Sequence, residues 1–421
     1  MVHDARVTAP APAPPGYRGV LRDPEFRAVF AADGLSIIGD QVTRLAIALL
    51  VFERTGSALL ASATYACSYL SWLIGGPVLS ALADRLPRRR LMIACDLARG
   101  LLVLLLVIPD LPLWVLFAVL VLVGLLAPPF DAARSALLAD ILEGDRYVVG
   151  NALSGAVSQA GQVAGFVLGG ALVHLLGTSG ALAVDAATFG LSALLLTMAV
   201  RDRPVAVADT ATRLRHELTA GVSLVARDPQ LRRLLGWGVL IASMTIAPEG
   251  LAVSVADGLD RGPAAAGVLT AAVPAGFLLG SWVVLRLPPD RRPRLFPWLV
   301  LLSGLALALS PLLRSVELIA AVWFVAGVGT ALQLIANAAF VQAVPAHLRG
   351  RAFGVAGTSL MAVQGLVLLL AGGLADLFGP RNSVALIAVG GLFVLAVSGL
   401  LSRSPTTPAQ VPAGARRGPA G

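Results

Sequence analysis

The chain has 421 residues, of which 57% are hydrophobic and only 13% are charged. A soluble domain carries about 25% charged residues, so this composition excludes a water-soluble fold and predicts an all-α integral membrane protein. The net charge of +8 resides mainly in arginines between apolar runs, where they face lipid head groups, and it does not indicate a nucleic-acid partner. The two cysteines, Cys67 and Cys95, suggest neither a disulfide nor a metal site, and we expect no cofactor.

Apolar runs of about 20 residues, long enough to span a bilayer as helices, follow one another along the chain. Residues 1–24 are rich in proline and alanine, lack a signal peptide and predict a disordered tail, as do residues 403–421. We predict twelve spans, near residues 26–52, 57–83, 91–109, 112–137, 148–176, 179–200, 231–256, 263–287, 295–313, 316–343, 351–375 and 381–402.

Arginines are unequally distributed between alternate loops. Most lie in the first tail, the loop after the second span, the central loop, the loop after the eighth span and the last tail, whereas the other side keeps Arg54, Arg261, Arg314 and Arg381. Because arginines are retained in the cytoplasm, both termini are predicted to be cytoplasmic in a multi-pass plasma-membrane protein.

The longest polar interruption, residues 201–230, predicts a cytoplasmic linker with an amphipathic helix on the inner membrane surface. It separates two halves of six spans, residues 25–200 and 231–402. These halves resemble diverged copies, since Phe26 and Leu231 begin similar segments and a basic loop follows the second span of each. A repeated half places the substrate site near the midplane, between the halves.

The loop after the second span carries a cluster of charges in residues 76–90. A loop this short cannot cross the membrane, so its flanking spans enter and leave on one side. Retention of the chain inside is one sufficient explanation for the arginines. The cluster includes Asp84, Arg85, Arg88 and Arg89. In these four residues it resembles the signature loop of the major facilitator superfamily, although Ser80 and Pro87 replace the glycines of that loop.

That resemblance implies the major facilitator fold and an inner gate. In such a gate, Asp84 lies near the positive N-terminal end of the eleventh helix and, with Arg88, holds the gate shut when the protein opens outward. The gate is then formed by Asp84, Arg85, Arg88, Arg89, Arg349 and Arg351. We expect Asp84→Asn to shift the population towards the inward-facing state.

The fifth span carries glycines at about every fourth position: Gly161, Gly165, Gly169 and Gly170. Such spacing leaves one bare helix face, against which another helix packs closely, and packing alone explains it in most membrane helices. It also resembles the antiporter motif of the superfamily, with Phe166 in place of the proline. This second interpretation favours export.

Three further stretches, residues 128–141, 217–235 and 343–354, resemble the branch of the superfamily that contains macrolide efflux and enterobactin export proteins. The resemblance covers about residues 22–402. A mid-helix arginine found in the fourth span of other drug-antiporter branches is missing here, so their proton route cannot be carried over.

Ionisable groups within spans are costly unless they are paired or hydrated. Asp40 and Arg44 lie one helical turn apart and form either a structural ion pair or part of the cavity. The internal repeat places Glu249 opposite Arg44, so we expect these two to meet across the symmetry axis. Asp185 is a further proton-coupling candidate, Asp376 is a weaker one, and Asp96 with Arg99 is assigned to the cytoplasmic cluster.

Amide side chains within the spans are candidates for a substrate path or for contacts that hold helices together. They are Gln159, Gln162, Gln333, Asn337 and Gln364. The sequence thus favours a monomeric secondary transporter that exports small amphiphilic molecules in exchange for protons. Uptake or facilitated transport is one alternative, and a non-transporting membrane enzyme or receptor is another. The four histidines are scattered along the chain and do not favour an enzyme. The sequence contains no phosphate-binding loop motif, which argues against ATP as the direct energy source.

Overall fold

The computed structural model describes residues 17–203, 223–345 and 348–397. Within these ranges, nine helices are long and apolar enough to cross a membrane. One of them, Asp145–Ala199, has 55 residues and breaks at Gly177, whose φ of 71° is unfavourable for residues with a Cβ atom, so it supplies two spans. Ala58–Leu79 and Arg88–Leu106 pack beside these helices and complete a bundle of twelve segments. The all-α membrane fold is therefore confirmed.

We number the segments α1 to α12 in chain order: Pro24–Thr55, Ala58–Leu79, Arg88–Leu106, Leu113–Ile141, 145–176, 178–199, Pro229–Asp257, Pro263–Arg286, Arg292–Leu312, Val316–Ala343, Arg349–Phe378 and Pro380–Val397. Each lies within a few residues of a predicted span. The second is shorter than predicted, because Ser80–Asp84 tightens into a 3₁₀ helix.

The predicted first tail is partly wrong. Tyr17–Val20 is a helical turn, and Val20 is fully buried beside Phe26, which removes its apolar side chain from solvent. Residues 223–227 of the predicted linker are helical. The rest of its predicted amphipathic helix, and residues 403–421, lie outside the described residues.

The first helix of each half begins with the same cap. Asp23 accepts hydrogen bonds from the backbone N–H groups of Glu25 and Phe26, at 3.0 and 3.2 Å, and Pro24 opens α1. Asp228 accepts from Gln230 and Leu231 at 2.7 and 3.3 Å, and a proline again follows. An aspartate cap before proline satisfies free N–H groups at a helix start. The same sequence offset relates Phe26 to Leu231.

The glycines of α5 lie against α1. A Cβ atom on Gly165 would lie 2.7 Å from the Ile38 carbonyl oxygen, and one on Gly161 would lie 3.0 Å from Ile37. A Cβ atom on Gly169 would lie 3.1 Å from the Cα atom of Val42. These separations leave no room for a side chain, so the bare face of α5 determines how closely α1 approaches.

We expect Gly165→Leu to prevent correct packing of α1 on α5, at a cost of about 3 kcal/mol or more, because backbone cannot yield as a side chain does. Its yield of monodisperse protein after extraction should fall sharply. Gly155→Leu is the matched control on the same helix, since a Cβ atom there meets nothing within 4 Å. Equal yield and equal thermal stability of the two variants would contradict the packing role of Gly165.

The first and last six segments meet closely at one end of the bundle. There, Asp376 near the end of α11 accepts hydrogen bonds from the backbone N–H groups of Ala58 and Leu59, at 2.6 and 3.2 Å, at the start of α2. A Cβ atom on Gly170 of α5 would lie 2.6 Å from the Pro263 carbonyl oxygen at the start of α8. We call this the Asp376 end, and the end at which α1 begins the arginine-rich end.

Helices α2 and α11 separate towards the arginine-rich end. A Cβ atom on Gly372 of α11 would lie 2.6 Å from Leu59 of α2, and one on Gly365 would lie 2.9 Å from Leu70, so either would collide with α2. Gly354 lies three turns further along the same face of α11, and a Cβ atom there meets nothing within 4 Å. The two sets of helices are therefore closed together at the Asp376 end and apart at the other.

Candidate functional site

A cavity of about 480 Å³ lies between the two sets of helices. It is lined from α1, α2 and α5 on one side and from α7, α8, α10 and α11 on the other. Its polar and aromatic lining includes Arg44, Tyr69, Trp72, Gln159, Gln162, Glu249, Phe277, Gln333 and Gln364. We call it the central cavity.

One ion pair joins the two sides of the central cavity. The Nη1 atom of Arg44 lies 4.0 Å from the Oε1 atom of Glu249, as the internal repeat predicts. The Tyr69 hydroxyl donates to the Glu249 carboxylate, 3.1 Å from Oε2, and the Arg44 guanidinium lies 5.8 Å from the Tyr69 ring. A charged pair within a span is costly unless its partners and water stabilise it, so this pair is a candidate functional position.

The local sequence allows Glu249 to approach its neighbours. Pro248 has no backbone N–H group, so it leaves the carbonyl one turn earlier without its usual helical donor. A Cβ atom on Gly250 would lie 2.6 Å from Leu368 and 3.0 Å from Ser62, whose hydroxyl donates to the Gly250 carbonyl oxygen at 2.9 Å. Proline and glycine on either side thus bring Glu249 close to α2 and α11.

Four of the five predicted amide side chains line the central cavity: Gln159, Gln162, Gln333 and Gln364. Asn337 instead lies in a neighbouring apolar groove. The sequence interpretation missed Tyr69, Trp72 and Phe277. Tyr69 and Trp72 are three residues apart on α2 and share a helix face, which was the available signal.

Asp40 pairs with α3 and not with Arg44. The Nη2 atom of Arg99 lies 2.7 Å from both carboxylate oxygens of Asp40. The predicted pairing within α1 is therefore corrected, because each charged side chain finds a partner on another helix. Arg99 and Asp96 are 3% and 0% exposed, respectively, so their assignment to the cytoplasmic cluster is wrong.

Asp96 is held by hydroxyl groups. Ser192 donates to one of its carboxylate oxygens at 2.5 Å and Ser36 donates to the other at 3.3 Å. Helix α3 begins at Arg88, so Asp96 and Arg99 lie two and three turns inside it. The early start of α3 thus explains why these residues lie within the bundle.

A second polar pocket, of about 150 Å³, adjoins the Asp40–Arg99 pair. Within it, the Nε atom of Arg134 lies 3.2 Å from Asp33 and 3.5 Å from Asp131. A gap of about 20 Å³, lined by Asp40, Arg99, Arg44 and Trp72, lies between this pocket and the central cavity. Charged groups therefore form a nearly continuous series from Glu249 to Asp33.

Asp185 lies outside these cavities. It is 1% exposed, its carboxylate accepts hydrogen bonds from the Thr43 and Thr188 hydroxyls, and it packs where Gly39 lacks a side chain. A Cβ atom on Gly39 would overlap the Asp185 carboxylate. The predicted cavity position of Asp185 is corrected, because tight packing of α6 on α1 encloses it.

The predicted gate residues divide into two groups. Asp84 and Arg85 are exposed, and among the described residues the Asp84 carboxylate has no partner. Arg88 pairs with Asp140 of α4, and Arg89 donates to the carbonyl oxygens of Leu196 and Thr197, at 3.1 and 2.5 Å.

Arg88 therefore contacts its own half in this structure, and its gate contact, which is predicted for the state closed at the arginine-rich end, stays a prediction. The physical reason is proximity, since the end of α4 presents a carboxylate beside the start of α3. The side chains of Arg349 and Arg351 lie outside the described residues.

An all-α bundle with spans of bilayer length, and with a polar cavity that holds an ion pair between two sets of helices, is typical of a transmembrane carrier. The Major Facilitator Superfamily model matches residues 29–315, and the chain belongs to that family. As a member of this family, it transports a small-molecule substrate across a membrane.

Two relatives resemble this chain over most of its length. It is 28% identical over 386 residues to the multidrug efflux pump Tap of Mycolicibacterium fortuitum, which covers 87% of this chain and 92% of the pump. It is 26% identical over 382 residues to the uncharacterized MFS-type transporter YfiS of Bacillus subtilis (strain 168), which covers 87% and 90%. A stretch of 100 residues is 30% identical to macrolide efflux protein A of Streptococcus pyogenes, 23% of this chain and 25% of that one.

Solved structures share the fold at low identity. A bacterial homolog to the human lysosomal transporter Spinster has a TM-score of 0.71 and 15% identity, over 90% of this chain and 97% of that one. A POT family transporter has a TM-score of 0.71 and 13% identity, over 90% and 96%. At such identities the likeness establishes the fold alone.

Proposed function

We propose that this chain is a secondary active transporter that exports small amphiphilic molecules in exchange for protons, by alternating access. The observation that carries the proposal is the Arg44–Glu249 pair, which faces the central cavity and links helices from opposite sides of it. An ion pair between two moving bodies can be made in one state and broken in the other. It therefore couples occupancy of the cavity to the arrangement of the bundle.

The lining of the central cavity supports an amphiphilic substrate. Tyr69, Trp72 and Phe277 provide aromatic surface, whereas the glutamines provide hydrogen-bond donors and acceptors. The paired charges of Arg44 and Glu249 cancel, so the cavity carries no strong net charge. A molecule with both an apolar body and a few polar groups suits such a lining.

The direction and orientation of transport are parts of the same proposal. Arginines concentrate at the end where α1 begins, so we place that end, both termini and the linker in the cytoplasm of a plasma-membrane protein. The halves, residues 25–200 and 231–402, then open towards the cytoplasm here. The printed names of two relatives, a multidrug efflux pump and a macrolide efflux protein, favour export. We propose a monomer surrounded by lipid, without enzymatic activity.

Transport by purified protein in proteoliposomes tests this function. With an imposed pH gradient, we expect a radiolabelled macrolide or ethidium to accumulate against its own gradient, with protons moving oppositely. A protonophore should abolish accumulation, and protein-free liposomes provide the control. Downhill movement that is indifferent to the pH gradient would instead indicate facilitated transport, and movement of neither probe would contradict the amphiphile assignment.

A further inference from the structure

An apolar groove of about 190 Å³ lies beside the central cavity, on the arginine-rich side of α7, α10 and α11. Its walls include Leu235 and Val239 of α7, Phe340 of α10 and Leu360 of α11. Asn337 is the polar side chain among its lining residues. An apolar concavity with so little hydrogen-bonding capacity suits a hydrocarbon group.

The groove continues from the central cavity. Leu360 lines both, and Asn337 follows the cavity residue Gln333 by one helical turn. At its other end, the rings of Phe340 and Phe353 pack edge to face with centroids 5.3 Å apart. The groove therefore runs from the cavity and ends at an aromatic pair.

Two glycines deepen the groove. Gly238 and Gly357 line it from facing helices, and a Cβ atom on either would meet nothing within 4 Å. Close helix packing thus does not require glycine at these positions, unlike Gly365 and Gly372 on the same helix α11. Glycine lowers helix stability relative to alanine, so these two residues leave space at a cost to the helices.

We propose that this groove holds the apolar tail of the exported amphiphile while its polar part lies in the central cavity. The inference rests on the proposed function and extends it to a two-part binding site. The occupant is the substrate tail because the groove continues from the cavity at Leu360. A longer alkyl chain then binds more tightly, since each added CH₂ group leaves water, until the chain reaches the aromatic pair.

Binding of a homologous series tests the inference. The probes are N-alkylpyridinium ions with chains of two, four, six and eight carbons, titrated by calorimetry onto protein in lipid nanodiscs, with empty nanodiscs subtracted. For the parent protein, affinity should rise about four-fold per CH₂ group and then level off. In Gly357→Leu, the ethyl probe should bind as it does to the parent, and the dependence on chain length should vanish.

Gly373→Leu is the matched control, on the same helix, where a Cβ atom also meets nothing within 4 Å. It should keep the chain-length dependence. Gly238→Leu fills the groove from α7 and replaces Gly357→Leu if that variant does not fold. If affinity depends on chain length in Gly357→Leu and Gly238→Leu as it does in the parent, the tail lies in bilayer lipid. That result would overturn the groove as the binding site of the tail and leave the proposed function intact. Failure of every probe to bind the parent would overturn both.

Discussion

Asp40→Asn is expected to abolish uphill, proton-driven export while leaving downhill exchange of substrate partly intact. Asp40 is the carboxylate that Arg99 binds through both oxygens, and it lines the gap that leads to the central cavity. Asparagine keeps the shape of the side chain but cannot take up and release a proton. Substrate movement without a proton carrier can only follow its own gradient.

Proteoliposomes containing a pH-sensitive dye measure both fluxes for this variant. We expect the accumulation ratio to fall to its equilibrium value, and proton movement linked to substrate to disappear. Asp185→Asn is the matched control, because Asp185 is a buried carboxylate of the same half that lines none of the cavities described. Full uphill transport by Asp40→Asn would remove Asp40 from coupling and leave it as a structural partner of Arg99.

Glu249→Gln should weaken coupling less than Asp40→Asn. The sequence suggested a switch in which Arg44 moves between Asp40 and Glu249. In this structure Arg44 already lies at Glu249, and Arg99 holds Asp40. We therefore propose that Asp40 takes up its proton when Arg99 moves away from it. Glu249 holds Arg44 in the state in which the two sets of helices are separated at the arginine-rich end. The same flux measurements rank the two variants.

Asp376→Ala should shift the protein towards the state that is open at the Asp376 end. Asp376 accepts hydrogen bonds from Ala58 and Leu59 at the start of α2, and from the Ser57 hydroxyl at 2.8 Å. It acts as a helix cap supplied by the other half of the chain. Loss of such a cap costs about 1 kcal/mol, or roughly a five-fold change in population.

Distances between spin labels at Leu175 and Leu312, both exposed, report this change in lipid membranes after Cys67 and Cys95 are replaced by alanine. Asp376→Asn keeps an oxygen acceptor and should shift the distribution much less. Glu317→Ala, an exposed carboxylate at the same end, should leave it unchanged. Identical distributions in parent and Asp376→Ala would contradict the cap as a closing contact.

The cap at Asp376 corresponds to the contact that the sequence predicts for Asp84. Helices α2 and α11 run in opposite directions, so each end of the bundle holds the end of one helix and the start of the other. Both side chains are exposed, but Asp376 makes its contact in this structure, whereas the Asp84 carboxylate has no partner among the described residues. We propose that the two aspartates alternate, each closing its own end of the bundle. Asp376 therefore suits a closing contact better than the proton-carrying role considered from sequence.

The sequence by itself determined the class of fold and the position of the spans. Runs of apolar residues are long enough to cross a bilayer. Within lipid, such a run satisfies its backbone hydrogen bonds by forming a helix, so the spans follow from local composition. The internal repeat also brought Arg44 and Glu249 together, because related halves place equivalent residues about one axis. Glycine spacing in α5 indicated a close helix contact for a similarly local reason.

Only the tertiary structure decided which side chains pair and which face the central cavity. Asp40 has Arg44 one turn away but binds Arg99 of α3, and Asp96 and Asp185 lie against hydroxyl groups of other helices. Tyr69 and Trp72 face the cavity from a helix on which apolar residues occur on every side. Lipid is as apolar as a protein interior, so apolar periodicity does not distinguish the faces of a membrane helix, and the packing of neighbouring helices makes that choice.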